Sequence, residues 1–169
     1  VVTGVRAVIS GQNNFIYQLR PAQQQALARN KEIEVGVSQG LYSVAMYFNY
    51  SRPPLNDVRV RTALNLAIDR EALTQVVFEG LFEPSAQPFP SSSPYYDKSF
   101  PAPKRDVAKA KALLKEAGVE KFSFEIQVAN SPVDQQVAQV IQAMVAEAGI
   151  DLKLRSSEFA TMLKSQTAG

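Results

Sequence analysis

Carboxylate pairs and a run of serines are the side chains in this sequence whose types and spacing come nearest to a catalytic arrangement. Glu32 and Glu34 are spaced as a pair, but the apolar residues that alternate with them predict an exposed strand face. Asp69 and Glu71 are better explained as acids at the start of a helix. The serines at 91–93 have no base nearby in the sequence. No acid/base couple or activated nucleophile is indicated, and we predict that the protein is not an enzyme.

Composition excludes several further kinds of site. The chain has no Cys and no His, which removes thiol chemistry, disulfides, the usual zinc sites and His-based triads. No glycine-rich phosphate-binding loop occurs. The net charge of +2 comes from 18 basic and 16 acidic residues spread along the chain, so no basic surface for nucleic acid is expected. We therefore expect no cofactor, no metal and no nucleic-acid partner.

Strand and helix patterns alternate along the chain, which is typical of an α/β domain. The length of 169 residues suits one domain with its own core. The patterns predict about five strands and six helices. Strands are expected at residues 14–19, 32–37, 41–50, 122–128 and 150–154. The last two flank a helical pattern and should form a parallel pair with a right-handed crossover.

Residues 49–70 are predicted to turn the chain from the third strand into a helix. Pro53 and Pro54 cannot continue a strand ladder. Asn56 is a good N-cap, and Asp57 places negative charge at the positive helix end. The expected apolar face of this helix consists of Val58, Ala63, Leu64, Ala67 and Ile68. The following helices are expected to be capped by Asp69, Asp106 and Ser131.

A long loop rich in proline and serine is predicted at residues 81–102. Loops of this length inside a compact domain are usually functional or held to the surface. Four aromatic residues are expected to hold it down, namely Phe89, Tyr95, Tyr96 and Phe100.

The residues from Asn49 to Arg70 resemble a motif of the extracytoplasmic solute-binding proteins of peptide-type ABC transporters, family 5. The motif reads Pro-Pro-Leu-Asn-Asp-Val-Arg-Val-Arg, then Ala-Leu-Asn-Leu-Ala-Ile-Asp-Arg. Three more motifs follow in the family's order: Gly80 with Glu83, Pro84 and Pro88; residues 106–118; and residues 148–150. At residues 10–15, Gln12 and Asn14 replace two acids of the family, which weakens any role for charge there. The family includes dipeptide, oligopeptide, nickel and glutathione binders.

The resemblance implies a fold and a domain organisation. It implies an α/β fold, namely one lobe of a periplasmic-binding-protein-like fold of type II, cluster C, with a mixed sheet and flanking helices. Residues 1–169 would be a single domain and a fragment of a longer two-lobe protein, matching the central part of the second lobe. Such a fragment is expected to be a monomer and to bind ligand weakly or not at all by itself.

The same resemblance implies a ligand-binding wall in the strand before the corner. From pattern alone, Ala45, Tyr47 and Asn49 share a strand face that combines small, aromatic and amide groups. By the match to the family, the candidate ligand contacts are Gln39, Gly40, Leu41, Tyr42, Ala45 and Tyr47. The alternative, that these are ordinary sheet and loop residues, stays open.

The implied function is capture of a peptide or similar small solute between two lobes, and its delivery to an ABC permease in the membrane. The implied location is the periplasm or another extracytoplasmic space, with a lipoprotein anchor in the parent left open. An alternative is the ligand-sensing domain of a bacterial transcription regulator. Peptide, glutathione, metal-chelate and sugar binders share these motifs, so ligand identity also stays open.

Overall fold

A computed structural model describes residues 2–17, 19–36 and 45–168 of the chain. These residues form seven helices and two strands. The elements are α1 Val2–Ile9, α2 Pro21–Ala28, α3 Val58–Ala67, α4 Arg70–Phe78, α5 Val107–Glu116, β1 Phe122–Ala129, α6 Pro132–Ala146, β2 Ile150–Ser157 and α7 Phe159–Ala168. In the described ranges, no helix combines the length and hydropathy that a bilayer crossing requires.

The strands β1 and β2 pair in parallel, as their spacing in the sequence predicts. Their register runs from Phe122 opposite Ile150 to Ala129 opposite Ser157. Parallel neighbours need a long connection, which α6 provides by packing along β2. Ile150 and Leu152, two residues apart in β2, are both buried because alternate side chains of a strand face the same side.

The core lies where α3 packs on α5 and where α6 covers β2. The buried residues of α3 follow the i, i+3, i+4, i+7 spacing of one helix face. They are Val60, Ala63, Leu64 and Ala67, and they meet Ala110 and Leu114 of α5. The predicted face was partly wrong, because Val58 is 62% exposed while Val60 is fully buried. Val60 is in phase with the other three buried residues, whereas Val58 lies on the opposite side of the first turn.

Side-chain caps begin the helices α3 to α6. The predicted cap Asn56 is wrong, since the carboxylate of Asp57 accepts the hydrogen bond from the Arg59 amide at 2.8 Å. The other three predicted caps are confirmed. The hydrogen bonds are Ala72 N to Asp69 Oδ1 at 2.9 Å, Lys109 N to Asp106 Oδ1 at 2.8 Å and Asp134 N to Ser131 Oγ at 3.2 Å. Each cap satisfies an amide that the first turn of a helix leaves unpaired.

Three predicted strands are not strands where the structure describes them. Residues 14–17, 32–36 and 45–49 have no strand pairing, while residues 18, 37 and 41–44 lie outside the described residues. A strand exists only when a neighbour accepts and donates its backbone hydrogen bonds. The described residues offer these segments no such neighbour. The rings of Phe15 and Tyr17 instead stack on each other, with centroids 6.4 Å apart.

The carboxyl end of α3 and the start of α5 are joined directly. The Asp106 amide donates to Leu66 O at 2.8 Å, and Arg105 Nε donates to Ala67 O at 3.0 Å. These bonds satisfy carbonyls that the last turn of α3 leaves unpaired. Arg105 Nη2 also lies 2.9 Å from Glu147 Oε1, just beyond α6. One side chain thus ties three helices together.

The long loop between α4 and α5 is closed by a glutamine. The prediction that four aromatics hold the loop down was wrong for Phe89, Tyr95 and Phe100, which are exposed, whereas Tyr96 is half-buried. Gln87 Nε2 donates to the carbonyls of Asp97 and Phe100, each at 2.7 Å, and its Oε1 accepts from the Asp97 amide at 3.0 Å. Tyr95 is 76% exposed and contacts Phe89, whose ring centroid is 5.6 Å away. A single amide side chain can close a loop that has few apolar contacts, because it offers donors and an acceptor together.

Candidate functional site

The segment at residues 45–49 presents one side to solvent and the other to the core. Ala45 and Tyr47 are exposed, and the Tyr47 residue is 81% accessible. Met46 is half-buried, and Phe48 packs against the buried cluster of α3, α5 and β2. The predicted alternation of faces is therefore correct here although the segment is not paired as a strand. An aromatic ring that faces solvent from an anchored backbone can stack on a ligand.

A tight turn follows and redirects the chain into α3. Asn49 Oδ1 accepts from the Ser51 amide at 2.9 Å, and Asn49 O accepts from the Arg52 amide at 3.3 Å. The Pro53–Pro54 peptide bond is cis. Pro54 O then accepts from the Asp57 amide at 3.1 Å, one residue before α3 begins. This corner sets where the 45–49 segment lies relative to the helix.

Arg61, near the start of α3, spans the corner. Its Nη1 donates to Leu55 O at 2.8 Å and to Asn56 O at 3.0 Å. Its Cζ atom lies 4.7 Å from the centroid of the Tyr50 ring, a cation–π distance. The guanidinium thereby connects the helix, the corner and the end of the 45–49 segment. This contact is not predicted from the sequence, and no spacing rule indicates it, because the two residues meet across an irregular turn.

Asp57 and Arg59 form the charged pair of the site. Arg59 Nη2 lies 2.6 Å from Asp57 Oδ2, and its Nη1 donates to Glu116 O at 2.8 Å. Hydrogen bonds from the Arg59 side chain and amide hold the pKa of Asp57 below its usual range. The same pairing raises the pKa of Arg59. The pair thus fixes the start of α3 to the end of α5 and supplies no titrating group near neutral pH.

The predicted ligand contacts are placed only in part. Ala45 and Tyr47 lie on the exposed side of one segment. Gln39, Gly40, Leu41 and Tyr42 lie outside the described residues, so their proximity to Tyr47 stays a prediction.

The carboxylates considered as catalytic candidates are either exposed or engaged as a helix cap. Glu32 and Glu34 are exposed, and Asp69 caps α4. Ser91 Oγ donates to Glu83 Oε2 at 2.5 Å on the exposed loop. In the ranges that the structure covers, no three acidic side chains cluster in a way that could hold a metal ion.

Two concavities formed by the described residues lie away from this segment. Two shallow depressions have volumes of about 300 and 370 Å³. The first lies between the ends of α5 and α6, and the second beside β2. Neither is lined by a residue between 45 and 61. Tyr47 therefore lies on an exposed surface outside both depressions.

Comparison with protein families gives a match over nearly the whole chain. Residues 2–169 match the model for bacterial extracellular solute-binding proteins, family 5, middle part. The chain is 33% identical over 151 residues to the glutathione-binding protein GsiB of Salmonella choleraesuis (strain SC-B67), which covers 88% of this chain and 29% of that protein. It is 32% identical over 155 residues to the dipeptide-binding protein of Escherichia coli (strain K12), with the same two coverages. The chain thus spans 29% of the length of these curated relatives.

Solved structures agree with this match. The periplasmic binding protein DppA from Helicobacter pylori, in complex with the peptide STSA, superposes with a TM-score of 0.81 at 27% identity, over 96% of this chain and 32% of that chain. NikA from Staphylococcus aureus, in complex with Ni(L-His)2, has a TM-score of 0.80 at 21% identity over 98% of this chain and 35% of that chain, and supports the fold alone.

These findings confirm the predicted fold class, one lobe of a type II periplasmic-binding-protein fold. The relatives are named for binding and not for catalysis, in agreement with the prediction that the chain is not an enzyme. Together, the match across residues 2–169 and the shared lobe architecture show that the chain belongs to the family 5 bacterial extracellular solute-binding proteins, of which it carries the middle part.

Proposed function

We propose that this chain is part of the receptor of an ABC importer, which captures a peptide or similar small solute between two lobes and delivers it to a membrane permease. The observation that carries the proposal is the family match over residues 2–169. Two curated relatives are named for glutathione and dipeptide binding, and the DppA structure holds a peptide. In this proposal the protein works outside the cytoplasm, where a solute receptor meets its ligand.

The 45–49 segment is the part of this chain that we assign to the ligand wall. The phenol ring of Tyr47 offers a stacking face and a hydroxyl group to a solute. Among the described residues, no backbone hydrogen bond engages residues 45–48. We propose that an extended peptide pairs with these amides and carbonyls, main chain to main chain. Both features favour a peptide-like ligand over a compact ion.

The open geometry of the wall indicates that a second surface must close over the solute. Small-molecule sites usually bury most of the ligand, and one exposed wall cannot do so. Hinge closure of two lobes around a ligand is the common way to complete such a cleft. The 169-residue chain alone should therefore bind peptides weakly or not at all.

Calorimetric titration with di- and tripeptides tests the proposal. The complete natural chain that contains these residues should bind one peptide per molecule, whereas the 169-residue chain, checked as a monomer by light scattering, should give no measurable heat. Tyr47→Ala should weaken binding by roughly tenfold, the effect of losing one aromatic contact. Tyr95→Ala is the matched control, because Tyr95 is a similarly exposed tyrosine on the distant Gln87 loop. Micromolar binding by the 169-residue chain, or equal effects of the two substitutions, would contradict the proposal.

A further inference from the structure

Two anchors hold the segment that carries Tyr47. Phe48 packs against the core, and two residues later the Tyr50 ring meets the Arg61 guanidinium at 4.7 Å. Because neighbouring side chains of an extended backbone point to opposite sides, Phe48 keeps Tyr47 on the exposed side. The hydrogen bonds of Asn49 in the corner restrain the backbone between these two anchors. The contact at Tyr50 adds a side-chain restraint to the same end of the segment.

Arg61 is suited to be the fixed member of the second anchor. It projects from α3, whose residues Val60 and Leu64 are buried in the core. Its Nη1 is also hydrogen-bonded to the carbonyls of Leu55 and Asn56. A planar guanidinium can make these bonds at its edge while its face lies over a ring, which a lysine ammonium cannot reproduce.

We propose that Arg61 is a positioning residue for the ligand wall, which acts through Tyr50 to fix the orientation of Tyr47. The Arg61 guanidinium is engaged by the corner, and in this proposal it does not touch the solute. The consequence for ligand affinity rests on the proposed function. The consequence for the mobility of residue 47 does not, and it can be measured without any ligand.

Fluorescence anisotropy tests the positioning directly. The chain has no Trp, so Tyr47→Trp introduces a single probe. In that background, Arg61→Met and Tyr50→Leu should each lower the anisotropy of the probe. Arg59→Met is the matched control, because Arg59 leaves the same helix but bonds to Asp57 and Glu116. Circular dichroism checks folding, and if Arg61→Met does not fold, Tyr50→Leu decides the test. An unchanged anisotropy, or an equal drop with Arg59→Met, would overturn the proposal.

Peptide affinity of the complete natural chain gives the second readout. Arg61→Met should weaken binding by roughly two- to fivefold, the loss of one exposed cation–π contact. Combined with Tyr47→Ala, the same substitution should cause no further loss, since the side chain that it positions is already absent. Equal weakening in both backgrounds would overturn the positioning role. If the unsubstituted protein binds no peptide, the proposed function fails, and the anisotropy result alone decides the role of Arg61.

Discussion

Replacing Gly149 by alanine should destabilise the fold far more than the same change at Gly118. Both glycines end a helix with a positive φ, +93° at Gly149 and +73° at Gly118. They differ in their surroundings. A Cβ atom at Gly149 would lie 2.8 Å from the backbone carbonyl oxygen of Glu120, whereas nothing lies within 4 Å of one at Gly118. Comparing the two alanine variants therefore separates the free-energy cost of backbone strain from that of steric overlap.

The magnitudes follow from these two contributions. A non-glycine residue in the left-handed region costs about 1–2 kcal/mol, and alanine recovers about 0.4–1 kcal/mol by restricting the unfolded chain. Gly118→Ala should then lower the free energy of unfolding by about 1 kcal/mol or less. Gly149→Ala adds overpacking of about 1–3 kcal/mol, because a backbone carbonyl cannot move aside as a flexible side chain can. Its total should be about 1–4 kcal/mol.

Urea unfolding followed by circular dichroism measures both variants, with an unchanged m-value as the check that only stability differs. The sheet gives the structural reason to expect a cooperative loss. Gly149 directly precedes β2, and Glu120 lies two residues before β1, so displacing the Glu120 carbonyl would disturb the start of the strand pair. Destabilisations that agree within about 0.5 kcal/mol would refute the steric part of the reasoning.

Three further perturbations test the core, the loop and the corner. Leu114→Ala should lower the free energy of unfolding by about 2–5 kcal/mol in urea titrations, because Leu114 is fully buried. Leu81→Ala is the control at a half-exposed leucine and should change this free energy by no more than about 0.5 kcal/mol, and similar values for the two variants would contradict the assigned core. Gln87→Ala should speed hydrogen exchange at the Asp97 amide, because that amide donates to the Gln87 side chain, while the global free energy of unfolding should change by less than about 1 kcal/mol. An unchanged exchange rate would show that the glutamine does not hold the loop. Arg59 lowers the pKa of Asp57, so the stability that this carboxylate contributes is complete above its ordinary pKa of 3.8 and is lost as the pH falls through the lowered pKa. Asp57→Asn should therefore flatten this part of an acid-unfolding curve followed by circular dichroism. An identical curve would argue against the pairing.

The elements that the sequence predicted well are those whose pattern and partner both lie within the described residues. The alternation at 122–128 and 150–154, on either side of a helical pattern, led to a parallel pair that the structure confirms. Residues 14–17 and 32–36 carry strand-like patterns too. These residues do not form strands, because alternation indicates only which side chains can be buried. Strand formation also requires hydrogen bonds to a second backbone, which a local sequence pattern does not contain.

In the candidate site, too, local properties were predicted correctly and contacts between separate segments were not. Alternation correctly separated exposed Tyr47 from Phe48, which is a local property of an extended backbone. The cap at α3 was misassigned because Asn56 and Asp57 are adjacent and both are good N-caps. The choice is made by Arg59, which pairs with the carboxylate. Only the folded corner brings these groups together, and the same holds for Arg61 and Tyr50.

The hydrogen bonds from Arg105 and Asp106 to the end of α3 make residues 68–104 a closed excursion, because the chain leaves and returns at one point. The α3–α5 junction is thus closed by its own hydrogen bonds, while α4 within the excursion packs against α6. Doubling the length of a flexible loop costs only about 0.6 kcal/mol once its ends are held together. The tip of the excursion, around residues 91–95, is therefore a place where a peptide tag or a reporter domain could be inserted while the core and the Tyr47 wall keep their arrangement.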